Sequence, residues 1–191
     1  MLAPARHLAA ARRVACTRPG KRDTTLSERL ADQFDRVLQA TVIACRDHYG
    51  HRLVSVAVFG SVGRGTARPD SDLDLLIVAD ALPNGRVARS EEFQQVEAAV
   101  ADALESAREG GVSTSLSPVF KTPAEIDHGS PLLFDMVEDA RILYDRDGYL
   151  DAALGRLRDR LQQLGARRIW RGNAWFWDLK PDYKPGEVFE I

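Results

Sequence analysis

Two short apolar runs joined by a glycine-rich turn constrain this chain more than any other feature. The first, Leu53-Val54-Ser55-Val56-Ala57-Val58-Phe59, ends abruptly at Gly60-Ser61. It is too short for a core helix and stops at glycine, so it reads as a buried strand. Gly60-Ser61-Val62-Gly63-Arg64-Gly65 follows, and the chain turns through Arg68-Pro69-Asp70. A second apolar run over 72–79 then begins with Ser71-Asp72-Leu73-Asp74. Strand-forming and helix-forming runs alternate along the rest of the chain, which argues α/β.

The acids define a chemistry. Side chains alternate across a strand, so Asp72 and Asp74 project from one face. Two close carboxylates repel and call for a counter-charge. A divalent cation answers this, and Mg²⁺ commonly takes one or two carboxylates together with phosphate oxygens. On the neighbouring strand, Gly60 has no Cβ to keep a phosphate from the backbone. A helix starting there would offer free N–H groups to an anion, and Ser61 would add a hydroxyl. A phosphate cradle beside metal-binding carboxylates is a site for nucleotidyl or phosphoryl transfer.

Gly60-Ser61, ten intervening residues and Asp72-x-Asp74 resemble the signature of the DNA polymerase β-like nucleotidyltransferase superfamily. The fuller strings, Gly-Ser-x-x-Arg-Gly and Ser-Asp-Leu-Asp-Leu-Leu, are similar to its minimal nucleotidyltransferases, many of which act as antitoxins beside HEPN-domain toxins. The resemblance implies a small mixed sheet flanked by helices. It also implies Mg²⁺, one ion or two, held by Asp72 and Asp74. The substrate it implies is a nucleoside triphosphate, ATP foremost, with phosphates at Gly60, Ser61, Arg64 and Ser71. The implied acceptor is a hydroxyl: a tyrosine of a partner toxin, an RNA 3′ end or a small molecule.

One departure is visible. The superfamily carries a third acid on a following strand, whereas the run 112–120 has none. Ser113, Ser115 and Ser117 alternate on one face there instead. A serine is a poor substitute for an anionic ligand and general base. Three readings stand: two acids suffice, Glu109, Glu125 or Asp178 supplies the third, or turnover is weak. The alternative function is a binding module that neutralises a partner stoichiometrically.

The expected domains are a basic tail over 1–23, the nucleotidyltransferase domain over 24–146, and a C-terminal helix with an aromatic, proline-punctuated arm over 147–191. The tail carries Arg6, Arg12, Arg13, Arg18, Lys21 and Arg22, and reads as a mobile segment, an over-long gene start or a polyanion contact. Helices are expected from about Thr24 to Gly50, from Ser90 to Arg108, and from Tyr149 to Leu164. Thr122-Pro123-Ala124-Glu125 has the form of a capping box, and Arg141 to Tyr144 that of an edge strand. Two readings of the arm stand beside partner binding: its tryptophans pin it to the domain, or they stack a base. Arg64 is expected on a triphosphate or on Asp70, and Ser71 as a turn cap or a nucleotide contact. Cys16 and Cys45 lack metal spacing and suggest no disulfide framework, and the four histidines read as surface residues. A net charge of −2 gives no general push toward nucleic acid. No apolar run approaches the ~20 residues of a membrane span, and the expected location is the cytoplasm.

Overall fold

The computed structural model describes residues 22–172 and 174–189. Most of the basic tail, with Cys16 and His7, lies outside the described residues. The chain opens on α1, Arg22–Tyr49, whose Phe34, Val37, Leu38 and Cys45 recur at helical spacing and are buried. Burial pushes the Cys45 thiol up to about 12, so it sits in the core as a small apolar group.

Four strands follow: β1 Leu53–Val58, β2 Leu73–Ala79, β3 Leu116–Lys121 and β4 Arg141–Asp145, in the order β3-β2-β1-β4. β1 runs antiparallel to β2 and β4, while β2 and β3 are parallel. β4 is the edge strand that its short apolar run predicts. Every residue of β1 is buried, because both faces of the sheet are covered.

α1 covers one face together with α3, Arg86–Ala99, and α4, Ala101–Glu109. The other face packs on α5 Pro123–Asp127, α6 Leu132–Asp139 and α7 Tyr149–Gln163, numbered after the single turn α2 Gly60–Gly63. The leucine stripe of α7 docks here through Leu150, Leu154 and Leu161. The capping box at α5 forms in full: the Thr122 hydroxyl accepts from the Glu125 amide, and Glu125 accepts from the Thr122 amide.

Four expectations change. The helix over 90–108 is two helices, broken at Val100 (φ −100°, ψ 3°), which keeps Val100 in the core and lets α4 lie against α1. The third strand begins at Leu116, because the Ser113 amide is drawn to the Pro69 carbonyl (2.7 Å). The aromatic arm begins as a hairpin, β5 Arg167–Arg171 and β6 Ala174–Asp178, with Arg168 opposite Trp177 and Trp170 opposite Trp175. Those four side chains share one face of the ribbon. His48 is no surface residue either: it lies beside Glu92 (3.8 Å) with its ring edge-on to Tyr49.

Candidate active site

The glycine turn and the acids meet through the backbone. The Phe59 amide donates to the Asp74 carbonyl (2.9 Å), so the end of β1 is tied to the start of β2. Gly60 has a φ of +66°, and a Cβ there would lie 2.1 Å from Asp74 Oδ2. The Asp74 carboxylate therefore packs onto the bare α-carbon of Gly60, and any side chain would displace it. Gly63 serves a second close approach: its Cβ would stand 2.4 Å from the Asp139 carbonyl oxygen. α2 is one turn long, so Gly60, Ser61 and Val62 lack intrahelical partners for their amides. An anion placed there would rest on single N–H groups rather than on a long helix dipole.

Asp72 is exposed and accepts a hydrogen bond from the Ser115 hydroxyl (2.7 Å). Asp74 is half-buried. Burial, then the charge of Asp72, raise its carboxyl above the usual carboxylate range, and Arg64 pulls it back. Ser117 lies in register with Asp74 on the parallel strand. Hydroxyls thus flank both acids where a third carboxylate was sought. Glu125 is taken by Arg89 (2.9 and 3.1 Å) and by its cap, and Asp178 faces Arg167 across the hairpin (3.5 Å). Glu109 ends α4, which packs on the opposite face of the sheet. Among the described residues no group of three His, Cys, Asp or Glu is placed to hold a metal. Asp72 and Asp74 nevertheless suit Mg²⁺: they are hard oxygen donors on one face, and each raises the need for a neighbouring positive charge.

Ser71 takes the turn-capping role, its Oγ accepting from the Arg68 amide (2.9 Å). Asp70 pairs with Arg68 instead of Arg64. Arg64 reaches across to Asp139 on α6 (Nη1 to Oδ2, 2.9 Å). The sequence reading missed this partner and those around it. Arg168 reaches the same carboxylate from β5 (Nη1 to Oδ1, 3.1 Å). Asp135, one turn earlier on α6, accepts the ring N–H of both Trp175 (2.7 Å) and Trp177 (3.0 Å). The guanidiniums of Arg64 and Arg168 lie 5.0 and 5.1 Å from the Trp175 ring centre. The tryptophans thus pin the arm. The available signal was the i, i+4 spacing of Asp135 and Asp139 on an amphipathic helix, which puts both on one face.

These residues enclose a cavity of about 330 Å³ lined by Phe59, Gly60, Ser61, Arg64, Asp74, Leu132, Asp135, Asp139 and Trp175. The turn, one acid of the pair and the hairpin therefore share one space. The site lies on a four-stranded mixed sheet between two helical layers. Residues 42–109, from α1 through both acids to the end of α4, match the model of the nucleotidyltransferase domain. A Methanocaldococcus jannaschii protein named "Putative protein adenylyltransferase" is 29% identical over 144 residues, spanning 74% of this chain and 92% of that one. Among solved structures, a chain of a toxin-antitoxin with AMP-PNP aligns at a TM-score of 0.44 and 19% identity, over 66% of this chain and 87% of its own. Spectinomycin adenyltransferase from Enterococcus faecialis, with ATP and spectinomycin, aligns at 0.42 and 12%, over 70% and 66%.

Proposed function

We propose that this nucleotidyltransferase moves a nucleoside monophosphate from a triphosphate, ATP foremost, to a hydroxyl on a partner protein. The observation that carries the reading is the seat of Asp74 against Gly60, which puts a carboxylate beside a turn able to take phosphate. Asp72 and Asp74 would hold Mg²⁺; when bound, the cation neutralises charge on the triphosphate and on the attacking and leaving oxygens. The amides of the Gly60 turn and the Ser61 hydroxyl hold the β- and γ-phosphates, and Arg64 lines the same cavity as a further cation. The acceptor oxygen forms its bond to the α-phosphorus as the bond to pyrophosphate breaks in line. Preorganised donors aimed at that charge supply the main acceleration.

The name of the Methanocaldococcus jannaschii relative supports both the adenylyl group and a protein acceptor. The motif resemblance points to a tyrosine hydroxyl on a HEPN-type toxin, with an RNA 3′ end as the competing acceptor. No helix among the described residues is long and apolar enough to cross a membrane; the proposed location is the cytoplasm, where the nucleotide pool lies. Ser115 and Ser117 beside the acids, in place of a third carboxylate, favour a second reading, slow turnover with neutralisation of the partner by binding alone.

The test is incubation with Mg²⁺, each α-labelled triphosphate and lysate from the source cell, against Asp72→Ala/Asp74→Ala. Label on a protein band that needs both acids supports the proposal, and label on RNA moves the acceptor. Absence of label with every triphosphate, alongside acid-independent partner binding, leaves the binding module.

A further inference from the structure

A second cavity, of about 610 Å³, adjoins the acid-lined one and is walled by Arg64, Thr66, Glu138, Asp139, Trp170 and Trp175. Arg64, Asp139 and Trp175 line both cavities, so the two open on a common wall. Their chemistries differ. The first offers the glycine turn and a carboxylate, and the second offers indole surface with a carboxylate at its rim. A nucleoside triphosphate has this same polarity, anionic at one end and a flat aromatic base at the other.

We propose that the C-terminal hairpin supplies the nucleobase subsite, with Trp170 as the stacking platform. The inference rests on the reading of the Gly60 turn as the triphosphate cradle. Trp175 and Trp177 commit their ring N–H groups to Asp135, which fixes the hairpin on α6. Trp170 packs at 4.9 Å and 52° on Trp175, yet 55% of its surface stays open. An indole held by an anchored neighbour and by the Arg168 guanidinium, 6.0 Å from its ring centre, with more than half its surface open, is preorganised for a planar ligand. Stacking on it tolerates any base, because every base has a π-face. Glu138, half exposed beside it, is an acceptor for a base amine or a ribose hydroxyl.

The experiment compares the full chain with Trp170→Ala and Trp170→Phe, each checked for native circular dichroism. The ligands, all with Mg²⁺, are the α,β-methylene analogues of ATP and GTP, and inorganic tripolyphosphate, which has no base. Trp170→Ala weakens both nucleotides about 5- to 100-fold, leaves tripolyphosphate within about 2-fold, and is largely rescued by Trp170→Phe. Equal losses for nucleotide and tripolyphosphate overturn the platform, because the change then acts on the phosphate end. Unaltered nucleotide affinity overturns it as well, and a raised KM for the acceptor would then reassign the cavity. Should the unaltered chain bind neither nucleotide nor tripolyphosphate, the cradle reading fails and takes the platform with it.

Discussion

Asp139 joins the glycine turn to the C-terminal hairpin, and its electrostatics can be measured. It is 6% exposed and meets two guanidiniums, Arg64 from the glycine turn and Arg168 from β5. At the 3.1 Å of the Arg168 contact and an effective dielectric of about 20, the Coulomb attraction is about 5 kcal/mol. Desolvation of two groups this buried takes back a large part of it. Asp135 and Glu138, at 3.8 and 3.6 Å from Arg168, share its charge and dilute the pair further. A coupling energy of about 2 kcal/mol between Arg168 and Asp139 remains. Arg168→Met alone should cost about 2–3 kcal/mol, because it removes one of the two cations from a buried carboxylate. That lowers the melting midpoint by about 5–10 °C for a domain of this size.

The assay is a double-mutant cycle with Asp139→Asn, by urea unfolding followed in far-ultraviolet circular dichroism, since the nearby tryptophans would bias fluorescence. The double variant should recover about 2 kcal/mol of the summed single losses. The cycle has a second arm in nucleotide binding. With Arg168 gone, Asp139 has Arg64 as its remaining close cation and resists giving it up to a phosphate, so the KM for nucleotide rises about 10-fold. Asp139→Asn in the same chain removes that hold and brings the KM back down. Single losses that add within about 0.5 kcal/mol, or a KM that rises further in the double variant, would refute the clamp.

Gly60→Ala places a methyl group 2.1 Å from Asp74 Oδ2 in a backbone at φ +66°. Steady-state assay should show activity reduced at least about 100-fold, and urea unfolding a loss of about 1–3 kcal/mol. Ser117→Asp sets a third carboxylate in register with Asp74. The Mg²⁺ concentration for half-maximal rate should fall about 10-fold, and an unchanged Mg²⁺ dependence would show that β3 does not face the cation. Arg89 holds the Glu125 carboxyl down at about 2 through their hydrogen bonds, with the Thr122 amide helping. The folded value lies below the unfolded one, so this stability is present above about pH 4.5 and is lost as the pH falls toward 2. Glu125 is 40% exposed, and screening limits the effect to about 1 kcal/mol. Glu125→Gln should flatten the acid limb of the unfolding profile by that amount.

The parts of this molecule legible in the sequence are those written in adjacent residues. β1, the glycine turn and β2 are set by apolar runs and punctuation, and the capping box at Thr122 lies within four positions. The turn cap at Ser71 is equally local. The parts that were not legible depend on residues far apart. Arg64 has its acid 75 positions away, and Trp175 has its acceptor 40 positions away. No periodicity encodes either distance. The arm read as irregular because its prolines, at 181 and 185, lie just beyond the strands they seemed to break. The break at Val100 is a tertiary effect, since the residue is helix-compatible and is drawn into the core.

Ser115 and Ser117, standing where a third acid was sought, give the site a lean charge balance. Two carboxylates stand beside the turn, one exposed and softened by the Ser115 hydroxyl, the other raised in proton affinity by burial and by its neighbour. A third acid would strengthen the hold on a cation but would also deepen the repulsion felt by an incoming triphosphate. With serine there, the negative field at the turn is smaller, and the chain supplies less than a full cage of oxygen ligands. Mg²⁺ readily keeps waters and accepts phosphate oxygens as ligands, so a two-carboxylate site suits a cation delivered with its nucleotide better than one held in advance. The positive side of the balance lies on the far wall, where Arg64 and Arg168 are held in reserve on Asp139 rather than aimed at the acids. The glycine turn and the C-terminal hairpin are therefore one electrostatic unit, joined through Asp139.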